Sequence, residues 1–303
     1  MRYQKQISAT VFNRKGAFAL IRLCAFADEA GSSLQAQIDA LHRNGIGLLE
    51  IRTVDSVNIG DMTLERAEEV AAILKENNLK VWSLGSPMGK VSLDEEFDFE
   101  AYLPKVEHMC KLANVFGADK IRMFSFFDAY DKKEQVFAYL KRMVEVAANY
   151  GVKLCHENEK KVYGDTLERV QELMANVPGL KFIYDPANYI QCGEDPKVTL
   201  PALHSKMEYF HIKDTDAKTE ELVPAGVGDG DIPKLIEMIE GDQVLTLEPH
   251  LAIFDGYATI DDEEMKNRFH FENNDEAFDY AVTALKGILT AQGYQEMNGE
   301  FVK

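Results

Sequence analysis

Eight short apolar runs, each followed by a longer amphipathic segment, constrain what this chain can fold into more than any other feature of its sequence. FALIRLCAF leads into an amphipathic stretch from Ser33 to Arg43, and GIGLLEIR into another from Thr63 to Glu76. LKVWSLG, DKIRMFSFF and GVKLCHEN follow, with helical spacing over Phe99–Phe116, Lys132–Tyr150 and Leu167–Ala175. LKFIYDP, MEYFHIKD and QVLTLEP complete the set, with helices expected near Val198–Ser205, Ile232–Ile239 and Asp275–Gln292. Strands that alternate with helices are joined by right-handed crossovers into a parallel sheet, and eight units of about 30 residues match a closed (β/α)8 barrel. A doubly wound open sheet would not need eight regular units.

No Gly/Ser-rich or Pro-rich linker and no low-complexity segment interrupts the pattern, so residues 1–303 are expected to form one α/β domain. At 46% hydrophobic residues the chain can bury a full core. The surplus over a minimal barrel lies in an N-terminal extension at 1–15, the loop Ser86–Asp98 and a stretch from 251 to 273. The last two follow strands three and eight, which puts them on the C-terminal rim where barrels keep their active sites. Residues 251–273, with Phe254 and Tyr257, are expected to form a lid, an oligomer contact in a homodimer or homotetramer, or an inert surface insertion.

No run of about 18 apolar residues is present and the N-terminus lacks a signal-peptide centre, which predicts a soluble, cytoplasmic protein without a membrane partner. The four cysteines, Cys24, Cys110, Cys155 and Cys192, form no CxxC pair and fit reduced core thiols. A net charge of −18 opposes a phosphate-rich polymer, so nucleic acid is a disfavoured partner.

In such a barrel, polar groups at the C-terminal ends of strands converge on one mouth. Strands five to eight end in CHENE, YDPAN, HIKD and LEPH, which single out Glu157, Asp185, His211 and Glu248. Three carboxylates and an imidazole suit one hard or borderline divalent cation, with Mn2+ foremost, Mg2+ or Co2+ close behind and Zn2+ less typical. A cation would also let clustered carboxylates stay ionised together, whereas unrelated strand-end residues would pair with nearby Lys or Arg instead. Further rim candidates are Glu50 and Arg52, which share a face of strand two, Ser86 and Lys90 after strand three, Lys213 on the face of His211, and His250. Each could hold a substrate hydroxyl or simply an ion-pair partner. His156 should point away from Glu157 towards the helices as a structural histidine. GVGDGDIP is expected to be a turn leading into a helix that starts at Asp231.

FADEAG after strand one, GSPMGK after strand three, HENEKKVYGDT, DPANY, FHIKD and LEPHL at strands five to eight resemble the sugar phosphate isomerase/epimerase group of xylose isomerase-like TIM barrels. That group also contains ketose 3-epimerases and inosose dehydratases. The resemblance covers nearly the whole chain and implies that Glu157, Asp185, His211 and Glu248 hold the metal, with Glu157 and Glu248 as the acid/base pair. It also draws attention to Glu159 and Asn188, which stand where many members carry histidine, a departure that bears on the substrate. The implied chemistry is isomerisation or epimerisation of a sugar, ketose or sugar phosphate by proton abstraction beside a carbonyl through an enediolate. An inosose dehydratase-like lyase shares the same first step, and a catalytically inactive sugar-binding barrel would keep the fold. Phosphodiester cleavage on this fold wants more histidine ligands and a basic face, which an acidic chain with seven His does not offer.

Overall fold

The structure, a computed structural model, describes residues 19–255, 266 and 268–303. The extension at 1–15, and residues 256–265 and 267 of the rim segment, Tyr257 among them, lie outside the described residues. Eight parallel strands form the barrel: β1 Leu20–Ala25, β2 Leu48–Ile51, β3 Lys80–Gly85, β4 Lys120–Met123, β5 Lys153–Glu157, β6 Lys181–Tyr184, β7 Tyr209–Ile212 and β8 Asp242–Leu247. Each pairs with the next, and β8 closes on β1 along the full register from Leu20 opposite Asp242 to Ala25 opposite Leu247.

The helices are α1 Leu34–Arg43, α2 Leu64–Glu76, α3 Phe99–Phe116, α4 Lys133–Ala148, α5 Leu167–Asn176, α6 Pro186–Gln191, α7 Pro196–Leu203, α8 Ile232–Glu237 and α9 Asn274–Ala291. Most start where the sequence supplies a cap. Ser33, Thr63, Asp98, Thr166, Asp195 and Asn273 each accept a hydrogen bond from a backbone N–H of the first turn, which satisfies donors that the helix itself cannot. None of the helices among the described residues is long and apolar enough to cross a membrane.

Two local expectations are corrected. The segment between β6 and β7 holds two helices rather than one, because Asp185-Pro186 and Asp195-Pro196 each set a capped start with proline in the first turn. Asp231 precedes α8 but does not cap it; its backbone is left-handed, at φ 52°, and its side chain makes no capping bond. Beyond α9 the chain forms a hairpin, β9 Gln295–Met297 and β10 Glu300–Val302, turning at Asn298 and Gly299 with φ of 54° and 80°. An Asn-Gly pair between short strands is a strong hairpin signal because both central residues of the favoured turn need positive φ. β10 runs antiparallel to the lower half of β1, where β2 does not reach: β2 pairs only with Cys24 and Ala25.

Two apolar layers hold the barrel. A large cluster fills the space between strands and helices, and a small one inside the barrel comprises Cys24, Cys155, Ile183, Tyr209 and Val244. All four cysteines are free thiols, three of them buried.

Candidate metal centre

Strand alternation places the site directly above that inner layer. Side chains two residues apart on a strand share a face, so Cys155 carries Glu157 above it, Ile183 carries Asp185 and Tyr209 carries His211, while Val244 is followed on its face by Thr246 and then Glu248. Glu157, Asp185, His211 and Glu248 are all buried, and one ligand-type atom from each lies within 4.8 Å of the others.

His211 sits at the centre of the cluster. Its Nδ1 is 2.9 Å from Glu157 Oε1 and 3.0 Å from Glu248 Oε2, while Nε2 faces Glu50 Oε2 at 3.3 Å. Glu50 in turn accepts a hydrogen bond from the Tyr209 hydroxyl at 2.8 Å. A carboxylate behind a ligating imidazole fixes its ring orientation. The far oxygens of both glutamates are tethered by arginine: Arg52 Nη1 lies 3.0 Å from Glu248 Oε1, and Arg122 Nη1 lies 3.1 Å from Glu157 Oε2 and 3.5 Å from Glu248 Oε1. Lys213 Nζ approaches Asp185 Oδ2 at 2.9 Å, though not along a hydrogen-bonding direction.

Two buried carboxylate oxygens, Asp185 Oδ2 and Glu248 Oε2, accept no well-formed hydrogen bond from any described residue. Buried polar atoms are normally paired, and a shared cation satisfies several acceptor oxygens at once. The donor set and its spacing therefore fit a divalent ion, and this cluster could hold one. Charge and burial compete throughout. Burial pushes Asp185 up to about 7, with Lys213 opposing and the neighbouring glutamates adding to the rise. For Glu157 burial also pushes upward, but His211 and Arg122 outweigh it and hold the carboxyl below its usual range. Burial likewise opposes ionisation of Glu248, yet Lys213 and His211 bring it well below that range. Burial lowers the His211 imidazole, but Glu157, Glu50 and Glu248 raise it well above its ordinary value.

The other sequence candidates fall into different places. Arg52 is 1% exposed and bidentate to Asp28, at 2.9 and 3.0 Å, beneath Phe26 and Phe254. His250 donates its backbone N–H to Glu29, and its ring lies 3.3 Å from Glu29 and 3.6 Å from Glu248. Lys90 reaches Glu159 at 3.3 Å across the mouth and lies over the Phe124 ring. Its place is set by Gly89, at φ 87°, where a Cβ would stand 2.1 Å from the Phe124 carbonyl oxygen. Asn188 donates to Glu157 Oε1 at 3.3 Å and to the Asn158 carbonyl at 2.8 Å. Ser86 spends its hydroxyl on the loop, donating to the Arg122 carbonyl at 2.6 Å and accepting from Met88 N–H. His156 lies outside the cluster, beside Ser125 and the Phe182 ring.

Sequence reasoning missed Arg122, Asp28, Glu29 and Asn158. Arg122 carried a signal, being a charge between Ile121 and Met123 in a buried strand. Asp28 and Glu29 sit in the FADEAG motif, but nothing local says that they reach Arg52.

A family profile described as Xylose isomerase-like TIM barrel matches residues 38–271. Among curated proteins, the 3-dehydroshikimate dehydratase of Bacillus anthracis is 26% identical over 179 residues, 57% of this chain and 63% of that protein. That match spans less than two thirds of the relative's length. Among solved structures, the IOLI protein with a bound zinc atom superposes with a TM-score of 0.69 at 17% identity, covering 89% of this chain and 98% of that one. D-allulose 3-epimerase from Methylomonas sp. superposes with a TM-score of 0.66 at 15% identity, covering 88% and 98%. At these identities the structural likeness is one of fold.

Proposed function

Because the chain belongs to the xylose isomerase-like TIM barrel family, we propose that it is a divalent-metal-dependent isomerase or epimerase. Its substrate is a sugar, ketose or sugar phosphate that loses a proton beside its carbonyl and passes through an enediolate. One observation carries the proposal: Glu157 and Glu248 come from different strands, meet at His211 Nδ1 at 2.9 and 3.0 Å, and each have the other oxygen held by an arginine. An ion held by Glu157, Asp185, His211 and Glu248, Mn2+ foremost with Mg2+, Co2+ and Zn2+ also compatible, would supply Lewis acidity to acidify the C–H next to the carbonyl.

The residues supply the proton steps. His211 and Arg122 favour ionised Glu157, and Lys213 and His211 favour ionised Glu248, so each carboxylate is available as a base. One glutamate removes the proton and the other returns one. Return to the same carbon from the opposite face inverts it, and return to the adjacent carbon isomerises. Lys213, Glu159, Asn188, Lys90 and His250 lie around this pair and would contact or orient the substrate hydroxyls, while Glu50 backs His211 and Ser86 holds the loop. Replacing Glu248 by Gln should leave the fold intact and reduce solvent-deuterium incorporation at the substrate carbon by at least about 100-fold, the span of general-base catalysis. Undiminished incorporation in the folded variant refutes the assignment.

A lyase is the second reading, favoured by the curated dehydratase at 26% identity and by Glu159 and Asn188 at positions where the epimerase-like pattern carries histidine. Both routes share the deprotonation, and only the lyase expels a β-hydroxyl. The appearance of a conjugated carbonyl with release of water separates the two.

A further inference from the structure

Among the described residues, Arg52, Arg122 and Lys213 bring positive charge to the carboxylates of the metal quartet, and they do so in two different ways. The arginines take the oxygens that face away from the cluster. Arg52 Nη1 donates to Glu248 Oε1 at 3.0 Å and Arg122 Nη1 to Glu157 Oε2 at 3.1 Å, which leaves Glu248 Oε2 and Glu157 Oε1 turned to His211 Nδ1. Lys213 sits on the inner side. It follows β7 directly, its side chain is 5% exposed, and its Nζ lies 2.9 Å from Asp185 Oδ2 and 3.8 Å from Glu248 Oε2.

Those two oxygens accept no well-formed hydrogen bond from any described residue. Lys213 therefore offsets their charge without satisfying their lone pairs. A guanidinium fixes its acceptor through a planar fork, whereas an ammonium on a four-carbon stem acts as a mobile point charge. Buried carboxylates without a compensating cation are costly, so a positive charge here stabilises the folded chain. A divalent ion held by Asp185 and Glu248 draws on the same two carboxylates. Two cations drawn to one pair of buried carboxylates repel each other in a region that salt screens little.

We propose that Lys213 is a built-in competitor of the metal ion: its ammonium and the ion contend for Asp185 Oδ2 and Glu248 Oε2, so that Lys213 holds metal affinity down and keeps the ion exchangeable. This role presupposes the divalent-metal reading of the quartet. It sets Lys213 apart from Arg52 and Arg122, which hold the opposite oxygens and leave the inner ones to the ion. It also runs against the effect of a group that merely orients a ligand, whose loss weakens metal binding.

The test is calorimetric titration of the full chain with Mn2+, in the native protein, Lys213→Met and Lys213→Gln. The two substitutions remove the same charge but differ in polarity, so an effect of charge appears in both and an effect of packing does not. Each variant should bind Mn2+ at least about tenfold more tightly than the native protein, because repulsion between two cations a few ångströms apart in a protein exceeds that factor. Melting temperatures give a second measure. In chelator both variants should melt below the native protein, and Mn2+ should raise their melting temperatures by more than it raises the native one. Unchanged or weaker Mn2+ binding in both variants overturns the competition and makes Lys213 a group that orients Asp185. Tightening in one variant alone assigns the effect to packing and also overturns it, as does a chain that fails to fold with Mn2+ present. Absence of Mn2+ binding in the native protein and in both variants defeats the metal reading itself, whereas native binding that the variants do not tighten defeats the competition with the metal site standing.

Discussion

Asn158 treats Asp185 as a neighbouring strand would. Its Nδ2 donates to the Asp185 carbonyl and its Oδ1 accepts from the Asp185 N–H, both at 2.9 Å, extending the β5–β6 pairing past Glu157 opposite Ile183. Asp185 thus has its backbone clamped, with Oδ1 accepting from the Asn188 N–H and Oδ2 turned to the cluster. Asn158→Ala should weaken divalent-metal binding about 10- to 100-fold, the usual cost of losing a group that orients a ligand. Calorimetric titration with Mn2+ reads this directly, and an unchanged dissociation constant sinks the role. His156 carries a different prediction. Burial pushes its imidazole from 6.5 down to about 3, against the pull of Glu157. The unfolded chain takes up a proton below pH 6.5 that the folded protein refuses until about pH 3, so stability is full above 6.5 and falls as the pH drops. The slope contributed by one such group approaches about 1.4 kcal/mol per pH unit. His156→Gln should flatten the fall in melting temperature between pH 7 and pH 5, and an identical profile would count against it. His156 was legible as a structural residue because alternation alone turns it from Glu157. The pairing of Asn158 with Asp185 was not, since the two stand 27 positions apart.

Among the elements, the strands and longer helices were legible because each announces itself through its own periodicity and caps. The C-terminal hairpin carried its signal in Asn298-Gly299, but its strands are three residues each and show no useful alternation. What it does depends on β1, whose lower half it covers. Phe301 is 1% exposed on this hairpin and packs into the main core. Phe301→Ala should cost about 3–5 kcal/mol, as deletions of large buried aromatics do, and bare part of an edge that invites association. Urea titration measures the loss, while metal affinity should not change because the hairpin lies at the opposite end of the barrel. The loop between β7 and α8 shows the same limit. Its glycines were legible as a turn, yet their use is to bring the N–H groups of Gly226, Gly228 and Gly230 to the buried Asp214 carboxylate at 2.8, 3.1 and 2.9 Å. Added Cβ atoms on Gly228 and Gly230 would stand 2.4 and 2.7 Å from Asp214 Oδ1.

At the scale of the whole molecule, closure of β8 on β1 joins residues more than 190 positions apart, as in the contact of Arg52 with Glu248. An ion in the quartet would bridge β5, β6, β7 and β8 and so bind the folded state alone. Stripping the protein with a chelator should lower its melting temperature, and Mn2+ at about 100 times its dissociation constant should restore about 2.7 kcal/mol. Asp185→Asn should abolish that response, and a metal-independent melting temperature in the native protein would overturn the metal site. The sequence by itself determined the eight strand–helix units, hence the barrel, and the face on which each strand-end residue lies, because periodicity is a local property. Only the tertiary structure decided which charges meet. Arg122 reaches Glu157, and Arg52 reaches Asp28 and Glu248. Distances between side chains of different strands are set by barrel closure and packing, and no local pattern encodes them.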